Sequence, residues 1–358
     1  MKRAAEAEAT SATTTAAARS DAGAAAGDVP KWNLGQHAPT HATLHTGAKM
    51  PTIGLGTWLS AAGAVEAAVY EALRVGYRHV DCAAIYGNEA EVGAGLRRAF
   101  ADGVCARADV FVTSKLWNTC HAPDAVAPAL ERTLGALGLD YVDLYLVHWP
   151  FAMARDAPLP PPPEQVLGYD AARELATWRA LEPLVAAGKA RALGVSNYTV
   201  AKLRALLANE LVVRPAVNQV ESHPHLLQTR LHAYCAAERI VLQAYSPLGN
   251  PGRPARLKSD DEPALLEHAT VTAIAAAHDK QPAQVLLRWQ VQRGWVALAK
   301  STTPARIAAN ARVYDFVLAD DDMARLDALC GGVNRRLLRG AVFCTAGQHW
   351  TDLWDGEH

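Results

Sequence analysis

Four side chains in this sequence are suited to handling one proton: the carboxylate of Asp81, the phenol of Tyr86, the ammonium of Lys115 and the imidazole of His148. Each has an ordinary explanation when taken alone. Asp81 can cap a helix, Tyr86 can be a half-buried loop aromatic, Lys115 a surface cation and His148 a satisfied core histidine. Their surroundings tie them together. His148 ends the apolar run YVDLYLVHW at 141–149, which Pro150 cuts off. Near-continuous hydrophobicity with a sharp exit reads as a strand buried on both faces of a parallel sheet. Asp81 ends a second such run at 78–82, with Tyr86 five residues on, and Lys115 ends a third at 110–115. Three successive strands therefore finish in ionisable groups, at the end where parallel α/β folds build their sites.

The four groups suit one kind of chemistry. A phenol ordinarily titrates near 10, too high for easy exchange at neutrality. A neighbouring ammonium lowers that value by favouring phenolate. Lys115 is expected to supply the charge, Asp81 to keep Lys115 charged and oriented, and His148 to hydrogen-bond a substrate oxygen beside Tyr86. Such a set protonates an oxygen that is gaining negative charge, as in the reduction of a carbonyl, and needs neither a metal nor a covalent nucleophile.

The elements that must position these residues alternate along the chain. Strands are expected at 78–82, 110–115, 141–149, 192–195, 216–220, 240–244 and 295–299, after a first one that opens near GLGTWL at 54–59. Helices are expected at 62–75, 89–100, 124–137, 171–187, 200–207, 229–239, 265–279 and 282–292, then one from Pro304 with Thr303 as N-cap and another at 321–329. Gly76 and Gly188 follow two of them as helix stops. Thr43-Leu44-His45 and Ile53, around Thr46-Gly47-Ala48, read as a short hairpin before the first strand. Eight apolar strands, each followed by a helix, imply an α/β fold, a closed (β/α)8 TIM barrel, with the site on loops at the carboxyl ends of the strands. The GLGTWL run lacks the third small residue of a dinucleotide fingerprint, which excludes a Rossmann reading. A Pro-rich stretch at 157–165 interrupts the barrel as a stiff, solvent-facing insertion.

Composition sets outer bounds. With a net charge of −1 there is no basic field for nucleic acid and no polybasic face for a membrane. No apolar run approaches the roughly 18–20 residues of a membrane span. The six cysteines are scattered, with no C-x-x-C pair and no ligand-like spacing, which fits free thiols in a reducing compartment and argues against zinc. Residues 1–40 are Ala/Thr-rich and nearly devoid of large apolar side chains, and are expected to be a disordered extension to a barrel domain at 41–358. Glu6, Glu8, Asp21 and Asp28 offset Lys2, Arg3 and Arg19, which favours a cytoplasmic protein over an organelle-targeted one.

From about Ala42 to Leu329 the chain resembles the aldo-keto reductase superfamily. The resemblance is carried by GLGTW at 54–58, HVDCAAIYGNE at 79–89, SKLW at 114–117, LVHWP at 146–150, GVSN at 194–197, QAYSPLG at 243–249 and AKSTTPARIAAN at 299–310. DEPALLEH at 261–268 and LLRWQVQR at 286–293 make it look most like the NADPH-dependent aldehyde reductases. The resemblance implies a tetrad of Asp81, Tyr86, Lys115 and His148 with Tyr86 as general acid, and hydride delivery from the nicotinamide C4 of NADPH to a carbonyl carbon. It places Gly56, Thr57, Trp58 and Asp81 against the cofactor. It assigns Ser196, Asn197 and Gln219 to the nicotinamide carboxamide, Tyr245 to stacking on the ring, and Ser246 and Leu248 to the pyrophosphate. Lys300, Ser301, Thr302 and Arg306 match the pocket for the adenosine 2′-phosphate, with Asn310 near the adenine. Two cations and hydroxyls at a helix N-terminus after the last strand make a phosphate site in physical terms as well.

Four positions depart from the family pattern. Leu59 and Gly252 stand where many relatives carry a Lys and an Asp that clamp a loop over the pyrophosphate; Arg253 remains. Ala309 replaces an acidic residue near the adenine, and Ala255 an aromatic of the pocket. The substrate pocket is expected to be apolar, built from Trp58, Ile85, Trp117, Trp149 and Phe151 around His148. The tail from Asn334 should cover its mouth, and Arg335, Arg336 and Arg339 there are expected to attract anionic substrates. A small-molecule carbonyl substrate, NADPH/NADP+ as cofactor and a monomeric state follow from the resemblance. An aldose or sugar-phosphate reductase is the nearest alternative. A cofactor-sensing regulatory subunit and a phosphosugar isomerase barrel are alternatives of other classes.

Overall fold

The computed structural model of the protein describes residues 39–253, 258, 264–332 and 334–357. Except for residues 39 and 40, the Ala/Thr-rich extension lies outside them, as does Ala255.

The chain enters through an antiparallel hairpin, β1 (His41–Thr43) and β2 (Lys49–Pro51). Ile53 is not part of it: it opens the first barrel strand, β3 (Ile53–Gly56). Six parallel strands follow around the ring, each preceded by at least one helix. They are β4 (His79–Asp81) after α1 (Val65–Arg74), β5 (Phe111–Leu116) after α2 (Glu89–Ala101), β6 (Leu144–Val147) after α3 (Pro123–Leu137), β9 (Leu193–Ser196) after α4 (Ala171–Ala186), β10 (Val217–Glu221) after α5 (Val200–Leu207), and β11 (Val241–Tyr245) after α6 (Thr229–Ala237). Two helices, α7 (Ala269–Ala277) and α8 (Pro282–Gln292), precede β12 (Val296–Lys300), and α9 (Pro304–Ala311) and α10 (Asp320–Asp327) end the barrel. The ring runs β3-β4-β5-β6-β9-β10-β11-β12 and closes where Ala297 pairs with Ile53. This is a (β/α)8 barrel.

Local chemistry explains many of the boundaries. Pro123 and Pro282 occupy first helical turns, where the missing N–H costs nothing. Asp170 and Thr199 cap α4 and α5 by accepting from Arg173 N and Lys202 N. Thr303 precedes α9 but makes no side-chain cap; Ser301 Oγ instead accepts from Thr303 N. The helix expected over 265–279 is broken at His268, whose Nδ1 takes Thr270 N and starts α7 afresh. The run expected over 141–149 shortens to β6; at its amino end the Asp143 carboxylate, not a backbone carbonyl, takes Val112 N. The Pro-rich insertion is the loop of a second hairpin, β7 (Ala152–Met153) with β8 (Val166–Gly168). It is less solvent-facing than its composition suggests, since Ala157 and Leu159 pack on an aromatic cluster beneath it.

Period-two alternation sorts the strand side chains. Val80, Val112, Leu116, Val220, Leu242 and Ala244 point outward into the core between sheet and helices. The opposite face fills the barrel. At the amino end of the strands Leu144, Leu146, Val217 and Val296 pack with Leu44 and Met50 of the entry hairpin, which plugs that end. Gly93 sits where a Cβ would lie 2.3 Å from Leu137 O, so α2 approaches α3 more closely than any other residue would allow.

At the carboxyl end the chain after 334 folds over the opening. Phe343, Leu353 and Trp354 pack on Trp149, Phe151 and Met153. The tail is pinned from below. Glu221 accepts from Leu337 N at 2.7 Å and Leu338 N at 2.8 Å, Glu357 accepts from Val200 N at 3.0 Å, and Lys202 donates to Leu353 O at 2.8 Å. Among the described residues no helix is long and apolar enough to cross a membrane.

Candidate active site

The strand register brings the expected residues to one end of the ring. Gly56 lies beside Asp81 and Lys300, Ser196 beside Gln219, and Tyr245 beside Glu221. Asp81 and Lys115 project inward from β4 and β5. Lys115 is 0% exposed, and each of its N–H bonds has a partner: Asp81 Oδ1 at 2.6 Å, Cys82 O at 2.9 Å and Tyr86 Oη at 3.3 Å. Tyr86 sits in the single 3-10 turn after β4, whose last hydrogen bond runs from Gly87 N to Ala84 O. Its oxygen accepts from Lys115, and its own O–H has no acceptor among the described residues. His148 follows β6, with its ring edge-on to Tyr86 at 5.8 Å and to Trp117 at 5.3 Å.

Electrostatics modify the sequence-based expectation. Removal from water pushes the Tyr86 phenol up, to about 12, and the Lys115 charge only partly opposes this. The phenol is therefore protonated at neutral pH, not lowered toward neutrality. Burial also works against the Lys115 ammonium, but Asp81 and Tyr86 outweigh it and hold its pKa above the ordinary lysine value. Burial, with Lys115 and His121 adding to it, holds His148 well below the ordinary histidine value, so the imidazole is neutral.

A hydrogen-bonded group adjoins the tetrad. Ser196 Oγ donates to Gln219 O at 2.8 Å, Asn197 Nδ2 to His148 O at 2.9 Å, and Tyr245 Oη to Asn197 Oδ1 at 2.7 Å. Gln219 Nε2 donates to Asp81 Oδ2 at 2.7 Å. Asn197, Ser246 and Leu59 hold positive φ of 64°, 52° and 59° on the loops after β9, β11 and β3, a conformation that non-glycine residues adopt at a cost. Thr57 is buried and ties its loop to β4 through Asp81 O at 2.9 Å, with Trp58 and Leu248 half-buried nearby in sequence to these strand ends. Lys300, the last residue of β12, and Arg306 of α9 are exposed and form no ion pair with a described residue. Ser301 and Asn310 are buried, and Thr302 is half-buried.

The aromatic residues divide. Trp58 and Trp117 border the tetrad, Trp58 at 6.4 Å from the Tyr86 ring. Ile85 is half-buried beside Tyr86 in the same turn. Trp149 and Phe151 are buried under the tail, against Phe343 at 4.9 Å and 5.9 Å. Phe343 also meets Trp117 at 6.1 Å, so the tail reaches the mouth. Of the tail arginines, Arg336 does not face the opening. It is 4% exposed, lies 3.4 Å over the Trp354 ring and donates to Glu357 O. Arg253 is buried and donates to Gly249 O and Asn250 O.

Beneath Gln219 lies a polar layer that sequence reasoning missed: His79, Thr113 and Gln243, all 0% exposed. A signal for it exists. H-V-D at 79–81, T-S-K at 113–115 and Q-A-Y at 243–245 place polar residues two apart in one phase on three strands.

The comparisons agree with this geometry. The model of the aldo/keto reductase family matches residues 52–330. Aldo-keto reductase family 1 member A1 of Bos taurus and of Homo sapiens are each 51% identical over 288 residues, covering 80% of this chain and 88% of theirs. Aldo/keto reductase slr0942 of Synechocystis is 46% identical over 314 residues, 87% of this chain and 95% of its own. The chain belongs to the aldo/keto reductase family, oxidoreductases that act on carbonyl and alcohol groups.

Proposed function

We propose that this protein reduces aldehydes, and with them ketones and open-chain sugars, to alcohols at the expense of NADPH, with Tyr86 as the general acid. The observation that carries the reading is the saturated Lys115 ammonium, whose third N–H goes to the Tyr86 oxygen and leaves the phenolic proton for a substrate. The residues present fit the cofactor. Lys300 and Arg306, exposed and without a described carboxylate beside them at the N-terminus of α9, form a donor set for a phosphate dianion. Ser301, Thr302 and Asn310 complete that end. Ser196, Asn197 and Gln219 would hold the carboxamide, Tyr245 the ring, and Gly56, Thr57, Trp58, Ser246 and Leu248 the span between. When bound, NADPH supplies a hydride to the carbonyl carbon.

The rest falls to the chain's own groups. As the substrate oxygen becomes an alkoxide, a stronger base than a phenolate, it takes the proton from Tyr86 Oη. The phenolate left behind faces the Lys115 ammonium, in a buried setting where one fixed charge acts strongly. Neutral His148 orients the substrate oxygen with a hydrogen bond and adds no competing proton. Trp58, Trp117 and Phe343 keep water from the reacting atoms. The working unit on this reading is the barrel with its tail, 41–358.

The test is NADPH oxidation by the purified protein with an aromatic aldehyde, a short aliphatic aldehyde, a carboxylate-bearing aldehyde and an aldose, with NADH in parallel. Turnover with NADPH and little with NADH is expected. Tyr86→Phe should lower kcat by about 10³-fold, within the range general acids contribute, and leave the Kd for NADPH within about twofold, because Lys115 and Gln219 are untouched. A Phe variant that still turns over rejects Tyr86 as the acid.

A further inference from the structure

The barrel interior contains a directed chain of hydrogen bonds that starts from a group able only to accept. The Pro51 carbonyl, at the end of the entry hairpin, lies 3.1 Å from His79 Nδ1. That nitrogen must therefore carry the ring proton. Burial lowers the pKa of His79, so the ring is neutral and its Nε2 is a bare acceptor. Two groups point at that acceptor, Gln243 Nε2 at 3.2 Å and Thr113 Oγ1 at 3.3 Å. With its amide nitrogen committed to His79, Gln243 turns its oxygen upward, where it accepts from Gln219 Nε2 at 2.6 Å. The second N–H of Gln219 goes to Asp81 Oδ2 at 2.7 Å. Both donors of Gln219 are consumed inside the protein, and its Oε1 accepts from no described residue. Gly54 makes room for the start of the chain, since a Cβ there would lie 3.0 Å from His79 Cγ and Nδ1.

We infer that His79 and Gln243 are positioning residues for the nicotinamide end of the site: they fix the polarity of the Gln219 amide, so that it offers the ligand an acceptor only and selects a carboxamide N–H. The inference rests on the proposed nicotinamide site. If Gln243 were free to flip, its NH₂ would face the NH₂ of Gln219, and Gln219 would be drawn in two directions between it and Asp81. If Gln243 were removed, the Gln219 amide would be held by Asp81 alone and could rotate to present its freed N–H to the site, where it could serve any acceptor.

The experiment compares three probes by isothermal titration calorimetry. NADP+ has the carboxamide. 3-Acetylpyridine adenine dinucleotide phosphate replaces it with a ketone that has no N–H. Adenosine 2′,5′-bisphosphate contains only the adenosine end. The wild-type protein should bind NADP+ about 10-fold more tightly than the acetyl analogue, the scale of one buried hydrogen bond. His79→Leu and the volume-conserving Gln243→Met should bring that ratio below about 3, because the released Gln219 N–H can serve the acetyl oxygen. His79→Gln should restore it, because a glutamine amide can donate to Pro51 O and accept from Gln243 as the imidazole does. Affinity for the bisphosphate should be the same in every variant, a readout that a merely unfolded or loosened barrel would not preserve. Undiminished discrimination in His79→Leu and Gln243→Met, with bisphosphate binding intact, overturns the inference. A wild-type protein that binds the bisphosphate and NADP+ but does not discriminate against the acetyl analogue also overturns it. A wild-type protein that binds none of the three overturns the nicotinamide reading itself.

Discussion

Positive charge is handled in opposite ways at the two ends of the proposed site. Lys115 is sealed in the barrel with all three N–H bonds directed at fixed partners, and its carboxylate partner Asp81 is held in turn by Gln219. Lys300 at the end of β12 and Arg306 in α9 stand exposed with no ion pair to a described residue. The buried cation acts on one atom at one distance, where screening is weak, and suits the stabilisation of a charge that appears only during reaction. The exposed pair suits attraction of a charge that is always present, at a strength that salt can tune. On the proposed function, chemistry and anchorage are separated along the rim of a single ring.

Three changes would break or sharpen that contrast. The largest effect is expected from Lys115→Met, which removes the charge opposite Tyr86 and strands Asp81 in the interior. Turnover should fall by about 10³-fold or more, and stability by roughly 3–5 kcal/mol, the scale of breaking a buried pair; steady-state kinetics and thermal melting read both. At the other end, Lys300→Met with Arg306→Met should raise the KM for NADPH by about 10–100-fold, given charge-assisted hydrogen bonds of roughly 1.5–3 kcal/mol each before solvent screening. It should leave kcat and the KM for NADH unchanged and flatten the salt dependence of NADPH binding. An equal loss with NADH would show that the two cations do not read the 2′-phosphate.

The smallest effect concerns pH and belongs to the buried region alone. Burial lowers the pKa of His79 and His148, and that of His232 to about 3. In the unfolded chain they titrate near 6.5. Between the folded and unfolded values the unfolded state binds more protons, so stability rises with pH there. It is fully present above about 6.5 and is lost as pH falls below that value. The Tm should drop by about 5 °C or more between pH 7.5 and 5. An unchanged Tm would mean that these rings are not held neutral.

What the sequence made legible follows from how local each signal is. The helices expected at 200–207 and 282–292 appear with those bounds, and Thr199 as a cap and Pro282 in the first turn mark their starts. The hairpin was misjudged at Ile53 because three-residue strands show no alternation. The break at His268 depends on a side-chain acceptor that has no reputation as a helix stop. Asp81, Lys115 and His148 stood out because each lies at the end of an apolar run, and Tyr86 because it follows one of them by five residues. The rise of the Tyr86 pKa was not, since neighbours can be read from a sequence but removal from water cannot. For the same reason Arg336 looked like a surface cation and is in fact stacked inside the tail.

The seam where β12 meets β3 has one more consequence. It joins the first and last strands of the ring, and Lys300 finds its neighbour Gly56 only when it closes. Until then both strands present a bare edge of unpaired backbone, the hazard that closed barrels abolish, and contacts so distant along the chain form slowly. A molecule in which this seam is open therefore leaves two strand edges unpaired and separates Lys300 from Gly56.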